Sequence, residues 1–157
     1  MRVYPFLLIL ILLSSCNVIG NRLPSEVDDK QSANSTILVP TPRDNNSCTI
    51  TGLLYENAGS PQPVVGASLY LGEIIKNGQE TPIMATMNRI LSLRAITDLD
   101  GRFAFVDVPG NNYYSLIFDI VTESFMLYDP EGDGDLIFRC NGGAILDLGK
   151  LIYDNLP

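Results

Sequence analysis

A chain of 157 residues has room for one domain with targeting and linker segments, and excludes two full domains. Its net charge of -8 opposes any phosphate backbone, which excludes nucleic-acid binding, and no Lys/Arg cluster along the chain would hold it on anionic lipid heads. Histidine is absent, so the commonest general base and transition-metal ligand are missing, while 46% hydrophobic residues suffice to bury a core.

The chain opens on a leader. Arg2 supplies a short positive segment, and residues 6–13 form an uninterrupted apolar run. That run is too short for a helix to span roughly 30 Å of hydrocarbon, but it suits the apolar core of a signal peptide. It ends in Leu13-Ser14-Ser15-Cys16, which resembles a bacterial lipobox. The resemblance implies cleavage after residue 15 and lipidation of Cys16. Several acyl chains, at about 0.8 kcal/mol per buried methylene, would then anchor the protein to a cell or outer membrane, facing the extracytoplasmic side. Ordinary secretion, with Ser14 and Cys16 as the small residues of a common cleavage site, is the alternative. Two glycosylation-type sequons, at Asn34 and Asn45, would matter only in a eukaryotic secretory protein.

Residues 16–46 hold Pro24, Pro40 and Pro42 and no sustained periodicity, so they read as a lipidated cysteine followed by a flexible linker. Such a coil reaches roughly 30 Å on average. The domain proper is expected over 47–157.

From Cys48 onward, short apolar stretches alternate with Gly, Pro, Asn and Asp turns. This predicts an all-β sandwich of about seven to eight strands, at 49–55, 67–71, 91–97, 102–108, 113–120, 125–128, 136–140 and 145–152. Period two places Ala67, Leu69 and Leu71 on one face, with Ser68 and Tyr70 opposite. It does the same for Phe103 and Phe105 against Arg102 and Ala104, and for Tyr114, Leu116 and Phe118 against Ser115 and Ile117. The weakly patterned stretch from Gly72 to Ile90 reads as an extended hairpin or a surface loop, where binding is often placed.

Ile50-Thr51-Gly52, Pro63-Val64-Val65-Gly66-Ala67, Thr97-Asp98-Leu99-Asp100-Gly101-Arg102-Phe103-Ala104-Phe105, Val108-Pro109-Gly110 and Tyr114-Ser115-Leu116 together resemble the carboxypeptidase regulatory-like domain. The resemblance covers about residues 48 to 120 and is most specific at the Thr-Asp-x-x-Gly-x-Phe-x-Phe stretch. It implies a transthyretin-like β-sandwich that serves as a non-catalytic accessory module, with motif residues in turns and core. The family writes Pro-Pro-Gly-x-Tyr after the Phe strand; here one proline is missing and an extra residue intervenes.

Three cysteines are present. With Cys16 assigned to lipid, Cys48 and Cys140 are left outside the reducing cytoplasm, either as a disulfide or as two buried thiols. Two cysteines without histidine make a poor zinc shell. Asp129, Glu131 and Asp133, followed by Gly134 and Asp135, echo a calcium loop, but its twelfth position is Cys140 rather than Glu, and a polar hairpin turn is the competing reading.

No nucleophile elbow, phosphate loop or dinucleotide fingerprint occurs, and no cofactor is implied. Paired carboxylates of the glycosidase kind are not excluded by composition. The leading expectation is a membrane-tethered, non-catalytic binding or structural module for a protein or glycan partner. The alternative is a carbohydrate-binding domain of starch-binding-like type, with Tyr55, Tyr70, Tyr113 and Tyr128 as stacking faces, although the absence of tryptophan counts against it.

Overall fold

Ten strands and no helix make up the residues that the computed structural model describes, 39–76 and 82–156. The strands are β1 (Ser47–Glu56), β2 (Gln62–Pro63), β3 (Ser68–Lys76), β4 (Pro82–Thr86), β5 (Arg94–Ile96), β6 (Arg102–Pro109), β7 (Asn112–Asp119), β8 (Ser124–Met126), β9 (Ile137–Cys140) and β10 (Ile145–Tyr153). The leader, Cys16 and the linker up to residue 38 lie outside the described residues.

All eight strands read from the sequence are present. The 72–90 stretch takes the hairpin form: β3 continues to Lys76 and returns as β4, with Ile74 opposite Ala85. β2 is the other addition, a two-residue pairing of Gln62–Pro63 with Glu56 and Tyr55.

The strands form two sheets. In the first, β1 pairs with β10 in parallel along one edge, and with β6 and then β2 along the other. In the second, β3 and β7 are central and antiparallel, β4 and β5 share the outer edge of β3, and β8 and β9 share that of β7. Three pairs of short segments thus each fill one column, and ten segments make seven columns. The difference between ten strands and the eight positions read from the sequence is β2 and the returning hairpin strand β4.

The core lies between the sheets. Ile50 and Leu54 from β1, and Phe103, Phe105 and Val108 from β6, face Leu69, Leu71, Tyr114, Leu116 and Phe118 from β3 and β7. Each fully buried Leu or Ile contributes roughly 2 kcal/mol of transfer free energy. Phe103 and Phe105 are buried while Arg102 and Ala104 are not, as period two requires. In β3 and β7 the second face is buried too: Tyr70, Ser115 and Ile117 are all nearly inaccessible. Gly72 explains part of this, because Ile117 lies over its bare backbone, where a Cβ would come within 2.6 Å of Ile117 Cδ1.

Cys48 and Cys140 form a disulfide that ties β1 of one sheet to β9 of the other. The residues leading into β1 are also bonded to the sandwich. Arg43 pairs with Asp107 at 2.9 Å, and the Gly110 N–H donates to Asn46 O at 2.6 Å.

Candidate functional site

A cavity of about 330 Å³ lies at the outer edge of β3, bordered by the connection from β4 to β5 and the end of β6. Its floor follows from strand register. Period two sends Leu71 and Glu73 to the same side of β3, Tyr114 stands opposite Glu73 on β7, and Thr86 opposite it on β4.

The connection forms the wall, and its own polar groups shape it. Asn88 Oδ1 accepts from the N–H groups of Ile90 (2.8 Å) and Leu91 (3.2 Å), while the Asn88 N–H donates to Ser92 Oγ at 2.9 Å. An asparagine that bonds the backbone two and three residues ahead closes a tight turn. The turn presents Leu91, Ser92 and Leu93 to the cavity.

On the far side the Tyr114 hydroxyl donates to Pro109 O at 2.8 Å. Burial pushes the Tyr114 phenol above the ordinary tyrosine range, with Glu73 adding in the same direction and a hydrogen bond to Asn112 opposing. The phenol is therefore a neutral, fixed donor near pH 7. Among the described residues Glu73 is the single carboxylate in the lining, and Asn112 Nδ2 donates to its Oε1 at 3.3 Å. The carboxylate, hydroxyls, amide and apolar walls among the described residues can hold a ligand by hydrogen bonds and apolar contact.

The residues singled out from sequence are scattered. Cys16 lies outside the described residues. Cys48 and Cys140 meet in the disulfide, buried in the core and away from the cavity lining. Asp129, Glu131, Asp133 and Asp135 belong to a hairpin turn: Asp129 Oδ1 accepts the Glu131 N–H at 3.0 Å, the Asp129 N–H donates to Gly134 O at 2.8 Å, and Tyr128 bridges to Asp135. Among the described residues, no three His, Cys, Asp or Glu side chains converge where they could hold an ion.

The four tyrosines do not form one platform. Tyr55 lies on the first sheet with Lys150 Nζ 3.9 Å from its ring centre. Tyr70 and Tyr113 share the outer face of the second sheet, but Tyr70 is buried and Tyr113 has Lys76 Nζ 3.2 Å from its ring centre. Tyr128 packs edge-on against Tyr153, with ring centres 4.9 Å apart. Sequence patterning singled out none of Glu73, Thr86, Asn88, Ser92 or Tyr114 as a site. The one available signal was the length of the 72–90 stretch, in which three of them fall.

The described residues define an all-β sandwich with a disulfide between its sheets and a small mixed-polarity cavity at one edge. No protein-family model matches the sequence, and no curated protein matches it. Solved structures with distant similarity include a candidate carbohydrate-binding protein from Pseudomonas aeruginosa, 15% identical, with a TM-score of 0.42 over 71% of this chain and 91% of that one. The dioxygenase domain of a dioxygenase carbohydrate-binding protein fusion from Streptomyces sp. SirexAA-E is 16% identical, with a TM-score of 0.38 over 77% of this chain and 85% of that one. A 9R-lipoxygenase from Cyanothece PCC8801 is also 16% identical, with a TM-score of 0.37, and the match spans 68% of this chain but only 16% of the lipoxygenase. Similarity at this level assigns no function.

Proposed function

We propose that this chain is a bacterial lipoprotein, anchored through Cys16 on the extracytoplasmic side of a cell or outer membrane, whose sandwich is a non-catalytic binding module. The anchor is supported by the apolar leader that stops at Leu13-Ser14-Ser15-Cys16. The binding role is carried by the cavity, which sets hydroxyl, amide and carboxylate groups between apolar walls, with Glu73 its one acid among the described residues.

A carboxypeptidase regulatory-like identity is supported by what the motif residues do. Asp98 Oδ1 accepts the N–H groups of Asp100 (2.9 Å) and Arg102 (2.8 Å), and Thr97 Oγ1 accepts the Ala67 N–H at 2.8 Å. These are turn-closing and strand-stitching roles, as that family implies.

A glycan is the second reading of the ligand. The polar groups of Glu73, Thr86, Asn88 and Ser92 suit sugar hydroxyls, which would be held by hydrogen bonds rather than by stacking on tyrosines whose faces cations cover.

Two measurements test these readings. Mass spectrometry of the mature N-terminus should find an acylated Cys16, and Cys16→Ala should release the protein or block its maturation; an unmodified cysteine refutes the anchor. For binding, chemical-shift mapping against glycan and metabolite libraries should move the signals of Glu73, Asn88 and Tyr114 together. Turnover of a bound compound, or shifts confined to other residues, overturns the cavity assignment.

A further inference from the structure

The outer face of the six-stranded sheet gathers cations that lie far apart in the sequence. Tyr70 stands opposite both Arg94 and Ile117, and Tyr113, four residues before Ile117 and so on the same face, stands opposite Arg139. Lys76 lies over Tyr113, with Arg139 5.7 Å from the centre of that ring, and Arg94 lies 5.9 Å from the centre of the Tyr70 ring. Arg89 reaches onto the same face, to Asp119 at 2.8 Å and to Ile120 O at 3.3 Å. Asp119, which pairs with Arg89, is the one carboxylate among the described strand residues of this face; Glu123 lies in the turn between β7 and β8, and Asp129, Glu131, Asp133 and Asp135 in the connection from β8 to β9.

Aliphatic side chains stand exposed beside these cations. Ile96, opposite Ser68 on this face, is 55% exposed; Ile90, next to Arg89, is 90% exposed; and Val121, next to Ile120, is 96% exposed. Exposed aliphatics flanking Lys and Arg are the composition of a surface that inserts shallowly between lipid headgroups.

We propose that this face docks on the anionic phospholipid surface of the membrane that holds the chain. The inference rests on the anchoring reading above, because the tether brings this face to the bilayer in the cell, whereas the face itself must still bind anionic vesicles at high lipid concentration without it. The overall charge of -8 does not prevent it. At physiological salt the screening length is about 8 Å, while packed sheets lie about 10 Å apart, so carboxylates on the opposite sheet, such as Asp147, are largely screened, and the acids of the β8–β9 connection sit in a turn at the edge of this sheet rather than among its strand residues. The linear sequence shows no basic patch because strand pairing assembles it from residues 76, 89, 94 and 139. Charge complementarity selects an anionic occupant, and the exposed aliphatics favour a bilayer over an acidic polysaccharide.

The test uses the chain without its leader and with Cys16→Ser, so that neither lipid nor leader contributes to binding. It should co-sediment with vesicles of phosphatidylglycerol and phosphatidylcholine but not with phosphatidylcholine alone, and high salt should release it. Arg94→Gln and Arg139→Gln should each weaken partitioning about fivefold. Ile90→Ser should weaken it as well, and Lys150→Gln, on the other sheet, should leave it unchanged. Failure to bind anionic vesicles, or binding indifferent to Arg94 and Arg139, overturns the proposal. Binding to polygalacturonate but not to vesicles overturns it too, and makes the face a glycan site. Because the tested chain carries no lipid, failure here leaves the Cys16 measurement to decide the anchor independently.

Discussion

Cys48 and Cys140 join the first strand of one sheet to the last strand of the other, with Cα atoms 6.2 Å apart across 92 positions of sequence. Closing so long a loop restricts the unfolded chain and should stabilise the fold by about 4 kcal/mol. The double variant Cys48→Ala/Cys140→Ala should lose that amount in urea unfolding. Both cysteines are inaccessible, so reductant should act only after the sandwich opens. A double variant as stable as the parent would show that sheet packing alone holds the two layers together.

Gly66 and Gly101 separate two kinds of glycine requirement. Both have positive φ, 73° and 75°, but a Cβ on Gly66 meets nothing within 4 Å, whereas one on Gly101 would lie 2.4 Å from Leu54 O. Gly66→Ala should cost about 1 kcal/mol for the left-handed backbone alone. Gly101→Ala should cost at least about 2 kcal/mol more, because β1 must move. Equal losses in thermal unfolding would disprove the close approach.

Asp119 sets part of the acid limb of stability. The hydrogen bonds from Arg89 and then from Ser124 hold its carboxyl below the ordinary aspartate range. A depressed folded pKa gives stability that is complete above about pH 4 and is lost as pH falls through the folded value. Arg89→Gln should raise the Asp119 titration midpoint, read by carboxyl-carbon NMR, and flatten the acid limb. An unmoved midpoint would disconnect the two residues.

Tyr153 acts at the other end of the pH scale. Its hydroxyl donates to Tyr128 O at 2.8 Å, and burial first, with Tyr128 and Asp129 adding, raises its phenol above the ordinary tyrosine range. The resulting stability is complete below about pH 10, where the unfolded tyrosine ionises, and falls as pH rises above that. Tyr153→Phe should cost about 1 kcal/mol at neutral pH through the lost hydrogen bond, and should make stability less sensitive to alkali. Ultraviolet titration should show one fewer late-ionising tyrosine.

Much of the sandwich was legible because turn chemistry and alternation act locally. Asp98 to Gly101 forms a turn in any context that leaves the Asp98 carboxylate free to bond the N–H groups of Asp100 and Arg102. Phe103 and Phe105 alternate with Arg102 and Ala104 because β6 has one buried face. The same reasoning made Tyr70, Ser115 and Ile117 merely the far side of their strands. It could not show that Gly72 lets Ile117 settle onto β3, since that depends on a strand over forty residues away.

The sequence by itself determined the positions of eight strands and the turns between them, and left Cys48 and Cys140 as either a disulfide or two buried thiols. The tertiary structure decided which edges the short strands share, that Glu73, Asn88 and Tyr114 border one cavity, and that Lys76, Arg89, Arg94 and Arg139 occupy one face of an acidic protein. The reason is physical. Alternation and turn preference are set by neighbours a few residues apart, whereas cavities and charged faces arise from register between strands that the sequence does not bring together.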